Sequence, residues 1–184
     1  MKRILFFAVL VLFPVFTWAG GGWPQTRGKG FLKLGQNAIR SSYFYNPAGA
    51  KIRITTTSLY ITSLYGEYGI TDRLTSIVNL PVFMRGTLNK IEYQQSGNVE
   101  PGDAVNSVGD ADAGLKYTFL TGKPFYASFT VLLGLPLGNT GGGKSGILQT
   151  GDGEFNQLAR FDVSGSLSAK IFASVYFGFN NRTR

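Results

Sequence analysis

In the stretch "GDADAGLKYTFL", residues 109–120, side-chain polarity changes at every step. Ala111, Ala113, Leu115, Tyr117 and Phe119 fall on one side. Asp110, Asp112, Gly114, Lys116 and Thr118 fall on the other. A period of two is the signature of a strand with one apolar and one polar face. The next run, "FYASFTVLLGL", continues it: Phe125, Ala127, Phe129, Val131, Leu133 and Leu135 oppose Tyr126, Ser128, Thr130, Leu132 and Gly134. Only "TGK" and Pro124 separate the two runs, so they read as a hairpin.

The pattern recurs along the chain. Around "YGITDR", Tyr60, Thr62, Leu64, Gly66 and Tyr68 alternate with Ile61, Ser63, Tyr65 and Glu67. Beyond it, Leu74, Ser76, Val78, Leu80 and Val82 alternate with Thr75, Ile77, Asn79 and Phe83. "FNQLARFDVSGSL" and "KIFASVYFGFN" form a third pair near Ala169, and a first strand near "GFLKLGQNAI" sets Leu32, Leu34 and Ala38 against Lys33 and Asn37. Seven strands result, each close to the roughly 9–11 residues that a tilted strand needs to cross a bilayer.

The connections sort by length. Short turns are expected near 69–72, 121–123 and 168–170. Long polar, glycine-rich loops are expected near 42–56, 86–108 and 138–153. All long loops then fall on one side. Tyr68, Tyr117, Phe119 and Phe125 gather beside the short turns, as an interfacial girdle does. A soluble β-sandwich also alternates, but long strands and segregated loops favour an all-β, antiparallel up-and-down transmembrane β-barrel.

Composition agrees. Charged residues are 15% and aromatics 14% of 184 residues, with 25 glycines. Such a chain favours strands and tight turns. With neither Cys nor His, disulfides, Cys/His zinc sites and Ser-His or Cys-His nucleophile pairs are excluded. The net charge of +8 is scattered rather than clustered, which argues against a nucleic-acid partner.

The N-terminus "MKRILFFAVLVLFPVFTWAG" has Lys2 and Arg3, an apolar core from Ile4 to Phe16, and Thr17 and Ala19 ahead of Gly20. That three-part pattern predicts a secretory signal, residues 1–19, cleaved after Ala19. The barrel then occupies residues 20–184, in the outer membrane of a Gram-negative cell.

One motif points elsewhere. Gly138 to Ser145 fits G-x-x-x-x-G-K-[ST], the phosphate-binding P-loop. A P-loop opens a helix, whereas "SGILQTGDGEFNQ" carries Gly146, Gly151 and Gly153, each opposing helix by about 1 kcal/mol relative to Ala. The motif also falls in an expected external loop, so no nucleotide is assigned. Asp152 and Glu154 in "TGDGE" lack the ligand count of a Ca²⁺ loop. No metal, cofactor or catalytic residue is assigned.

Strand parity gives the candidates for a polar lumen: Lys33, Glu67, Asn79, Asp110, Asp112, Lys116, Arg160 and Asp162. Glu67 and Arg160 are candidates to pair across it, and Lys116 to neutralise part of the Asp110–Asp112 charge. The expected partners are membrane lipid and an unspecified small solute. The rival is a structural or adhesive barrel with a plugged lumen and working external loops.

"YGEYGITDRLTSIVNLPVF", "GDADAGLKYTFL", "GLPLG" and "LQTGDGEFNQ" resemble segments of the Gram-negative outer-membrane proteins grouped as the meta-pathway phenol-degradation, or XagA-like, family. The resemblance covers most of residues 23–182 and implies barrel proteins that assist uptake or export of small molecules. It implies no catalytic residues. The departure is "GFNNRTR", which follows an odd number of strands on the long-loop side. The chain therefore reads as a truncated or incomplete barrel, or as one whose strand count is off by one.

Overall fold

The computed structural model describes residues 21–92, 97–122, 124–168 and 171–183. The expected signal segment, residues 1–19, lies outside the described residues. Among these residues ten strands run in chain order: β1 (Gly30–Tyr45), β2 (Lys51–Gly69), β3 (Leu74–Leu88), β4 (Ile91–Glu92), β5 (Val99–Glu100), β6 (Asp103–Ser107), β7 (Ala111–Gly122), β8 (Phe125–Leu135), β9 (Phe155–Ser166) and β10 (Phe172–Thr183). There is no helix among the described residues. Seven long strands pair in the order β1-β2-β3-β7-β8-β9-β10, all antiparallel, in one sheet curled into a half-barrel. β4 and β5 form a separate small ladder, and β6 adds to β3. β1 and β10 are the sheet's edges.

Polarity across this sheet is inverted relative to a water-soluble fold. Among the largest fully buried side chains are Lys116, Thr75, Thr118, Thr130, Ser128 and Ser164, all on the inner face. The outer face exposes Leu32, Leu34, Val78, Leu115, Phe129, Val131, Leu133, Phe161, Val175 and Phe177. Tyr68, Tyr117, Phe119 and Phe125 also point outward, near the short turns, and Phe119 stacks on Phe161 at 5.8 Å.

Two expectations about the backbone change. The loop foreseen at 42–56 is mostly strand. β1 and β2 run on, through a register shift after Ser41, to a tight turn at 46–50. Asn46-Pro47-Ala48-Gly49 makes that turn. Gly49 N donates to Asn46 O (2.8 Å), Ala50 N donates to Asn46 Oδ1 (2.8 Å), and Gly49 has φ +79°. Proline presets the first turn residue and glycine takes the left-handed position. The β-branched and aromatic residues on either side then continue the ladder. The segment 86–108 likewise includes the end of β3 and all of β6.

The second change is one of parity. Thr62 pairs with Phe83, but Leu64 pairs with Leu80, so β3 carries one extra residue around Pro81 and Val82. Proline has no N–H for the ladder, and bulges gather at such sites. Beyond the bulge the faces exchange, and Phe83, expected beside Asn79 on the polar side, stands exposed on the outer side. Gly109 N donates to Pro81 O (2.9 Å) where β3 passes from β7 to β6.

Gly49→Ala should destabilise the β1–β2 hairpin by about 1–2 kcal/mol, the cost of a left-handed conformation for an L-residue. Equilibrium unfolding by denaturant reads this directly; an unchanged midpoint would mean the turn does not hold these strand ends.

Candidate functional site

The inner face is built in transverse rows set by register. Thr75, Lys116, Thr130 and Arg160 form one row; Thr118, Ser128 and Asp162 form the row toward the short turns. Asn79 and Asp112 sit opposite one another two rows nearer the loops. Lys33 faces Tyr65 on the same side, two residues from Glu67. Seven of the sequence-derived candidates thus share one face: Lys33, Glu67, Asn79, Asp112, Lys116, Arg160 and Asp162.

Their pairing differs from the expectation. Glu67 does not reach across to Arg160. Its carboxylate takes Lys116 Nζ at 3.3 Å, Tyr65 Oη at 2.5 Å and Gln25 Nε2 at 3.0 Å. Arg160 Nε donates to Asp162 Oδ2 at 2.9 Å, two residues along its own strand, and its guanidinium lies 5.7 Å from the Tyr176 ring. Asp112 accepts from Asn79 Nδ2 at 3.2 Å rather than sharing Lys116. The nearer partner wins in each case, because a buried charge is stabilised by short, hydrogen-bonded contacts.

Asp110 departs from the set. It precedes β7, and its carboxylate holds the long loop: Oδ1 accepts from Gly138 N and Oδ2 from Asp152 N, both at 2.8 Å. A strand-parity reading places Asp110 two residues before Asp112, but the strand begins only at Ala111.

A second aspartate answers the P-loop resemblance. Asp103 accepts from Lys144 N (2.9 Å), Ser145 N (2.8 Å) and Ser145 Oγ (2.6 Å). The "GGGKSG" turn, with Gly143 and Gly146 at positive φ, does make the donor cluster that glycine-rich loops make for anions. Here the anion is the chain's own carboxylate. Bonds from the Ser145 hydroxyl first, then from the two backbone amides, hold the Asp103 carboxyl far below the ordinary carboxylate range. Because the folded value is depressed, this anchorage is complete above pH ~4 and is lost only as pH falls toward the depressed value. No group of acidic residues among the described residues is arranged to hold a metal ion, and Asp152 instead caps Glu154 N at 2.9 Å.

Sequence reasoning missed a participant. Residues 21–27, ahead of β1, lie against the inner face beside the short turns. Gly22 N donates to Ser164 Oγ (2.8 Å), Thr118 Oγ1 to Gly22 O (3.2 Å), Lys116 Nζ to Gly21 O (3.4 Å), and Gln25 N to Thr75 Oγ1 (2.9 Å). At Gly69 a Cβ would come within 2.2 Å of Thr26 O, so glycine is what lets the segment lie flat there. No periodicity marks this segment. Its only signal is a glycine pair and Trp23 in a stretch too short to be a strand. The uncharged hydroxyls it uses were visible on the polar faces but carry no charge to single them out.

Glu67→Gln should cost about 3–5 kcal/mol, since it leaves the Lys116 ammonium buried without its counter-ion. Glu67→Gln combined with Lys116→Met should recover most of that loss in the same unfolding assay; an additive double variant would show the two groups are not coupled. Asp103→Ala should speed tryptic cleavage after Lys144 severalfold at neutral pH, and an unchanged rate would show that the carboxylate does not hold the loop.

No family model, no curated protein and no solved structure matches this chain.

Proposed function

We propose that the chain forms an up-and-down β-barrel, in part or whole, in the outer membrane of a Gram-negative bacterium. In this reading it is a passive channel or transporter for small molecules. The observation that carries the reading is the inverted polarity of the curled sheet. Ten large apolar side chains on six strands face outward, while threonines, serines and ion pairs crowd the short-turn half of the inside. In water such a face would forfeit about 25 cal/mol per Å² of apolar surface left unburied, and contiguous apolar patches of that extent are rare on soluble proteins. Facing lipid, the same surface costs nothing, and the outward aromatics near the turns match an interfacial girdle.

The open edges bear on the architecture. β1 and β10 both run from the short-turn end toward the loops. Antiparallel closure of the ring therefore takes an odd number of further strands between them. The seven inward candidates, from Lys33 to Asp162, would line the passage, and their three cations and three carboxylates would tune selectivity by position rather than by net charge. The resemblance to the meta-pathway phenol-degradation, or XagA-like, barrels belongs to this same reading, which assigns no catalytic step.

The second reading is a structural or adhesive barrel with a plugged interior. It is favoured by the segment 21–27, which occupies the inner face, and by the two aspartates that tie down the long loop. Planar-bilayer conductance of the folded full chain separates them: steps of conductance support the channel, and silence supports the plugged form.

Nitroxide labels at Leu115 and Val131 should be relaxed by oxygen, which partitions into lipid, and a label at Lys33 by an aqueous nickel chelate. Labels at Leu115 and Val131 that report water would overturn the membrane assignment.

A further inference from the structure

The segment 21–27 is not a simple lead-in to β1. It joins the two arms of the curl. At one end Gly22 is bonded to Ser164 on β9; at the other, Gln25 is bonded to Thr75 on β3 and Glu67 on β2. Thr118 on β7 holds the same end as Ser164, donating to the Gly22 carbonyl. Arg27 N then donates to Asp72 Oδ1 in the β2–β3 turn at 3.0 Å. The chain thus bridges the mouth of the curl at the short-turn end like a strap.

We infer that this strap is a removable plug: in place it closes the short-turn end of the polar interior, and its release opens that end to polar solutes. The inference rests on the lumen reading given above. Three observations carry it. First, the strap is held by wall groups that face the interior, and its own contributions are mostly backbone carbonyls and amides. Water or a polar solute offers the same hydrogen-bonding chemistry, so the wall can exchange one for the other. Second, its apolar hold is slight. Trp23 meets Tyr126 and Phe172 with ring centroids 5.9 and 6.3 Å apart, in tilted and edge-on contacts. Third, the interior at this level is not a dry, matched seat. Ser128 Oγ and Thr130 Oγ1 are fully buried on the inner face and have no hydrogen-bond partner among the described residues. Permanently sealed interiors satisfy such groups; a passage that admits water and solute has use for them.

The test reads the strap separately from conduction. The chain contains no cysteine, so single thiols can be introduced cleanly. In the full chain, Ser128→Cys should react slowly with a small charged methanethiosulfonate. Adding Trp23→Ala and Gln25→Ala should speed it at least about tenfold, as expected when two holding contacts are lost. Equal rates would overturn the plug. Separately, Gln25→Cys with Thr75→Cys should allow the strap to be locked by oxidation. Bilayer conductance should be low when oxidised and rise on reduction with dithiothreitol. Equal conductance in both states, with current flowing, overturns the plug. No current in any state while the thiol rate still responds overturns the lumen reading on which the passage depends.

Discussion

A lysine side chain only 2% exposed must be answered within the protein, and the answer to Lys116 organises the inside of this sheet. Its ammonium meets Glu67 from two strands away, and Glu67 in turn gathers Tyr65 and Gln25. Taking these charges out of water is costly, so the site is tolerable only because each carboxylate oxygen finds a donor. That demand fixes the relative register of β2, β3 and β7, since a slip of one residue would send Lys116 to the apolar side. It also recruits the N-terminal strap, whose Gly21 carbonyl and Gln25 amide complete the same network.

The loop end of the molecule follows the same rule with different partners. Glycine-rich turns expose backbone amides, and exposed amides seek acceptors. Asp103, the first residue of the short β6 strand, and Asp110, just beyond it, supply them to residues 138–152. A sequence pattern that cradles phosphate in one context therefore closes on an internal carboxylate in another. The letters of the motif describe a donor cluster; what fills it depends on which anion the fold brings near. Here β6 runs alongside the end of β3 and delivers Asp103 to the turn before any ligand need be invoked.

The fold was legible where alternation is unbroken and illegible where the backbone departs from period two. β8 and β9 carry clean patterns, as does β7 up to the register shift after Thr118, and Asp112, Lys116, Arg160 and Asp162 share the face that parity assigns them. Phe83 does not, because Pro81 sits at a bulge that adds a residue and exchanges the faces beyond it. Asp110 lies just outside its strand, where parity has no meaning. The hairpin at 46–50 was hidden by polar composition: "SSYFYNPAGAKIR" resembles a loop until its turn residues are seen to join two continuing strands. Pairing partners were the least legible feature. Which carboxylate takes Lys116 depends on the order of strands in the sheet and on a segment with no periodicity at all.

The strap and the wall illustrate how one face can serve two roles. The wall is made stiff by the β-ladder, which uses backbone groups and leaves the side-chain hydroxyls uncommitted. Those hydroxyls hold the strap with single bonds, spread over three strands. Loss of the strap would uncover a row of donors and acceptors, and would also take Gln25 from Glu67 and Gly21 from Lys116, positions that water or a polar solute could fill. A wall built of apolar side chains would hold the strap by packing and lose stability on release. Threonine and serine on the inner face thus separate the stability of the sheet from the occupancy of its interior, which is the condition a gated passage requires.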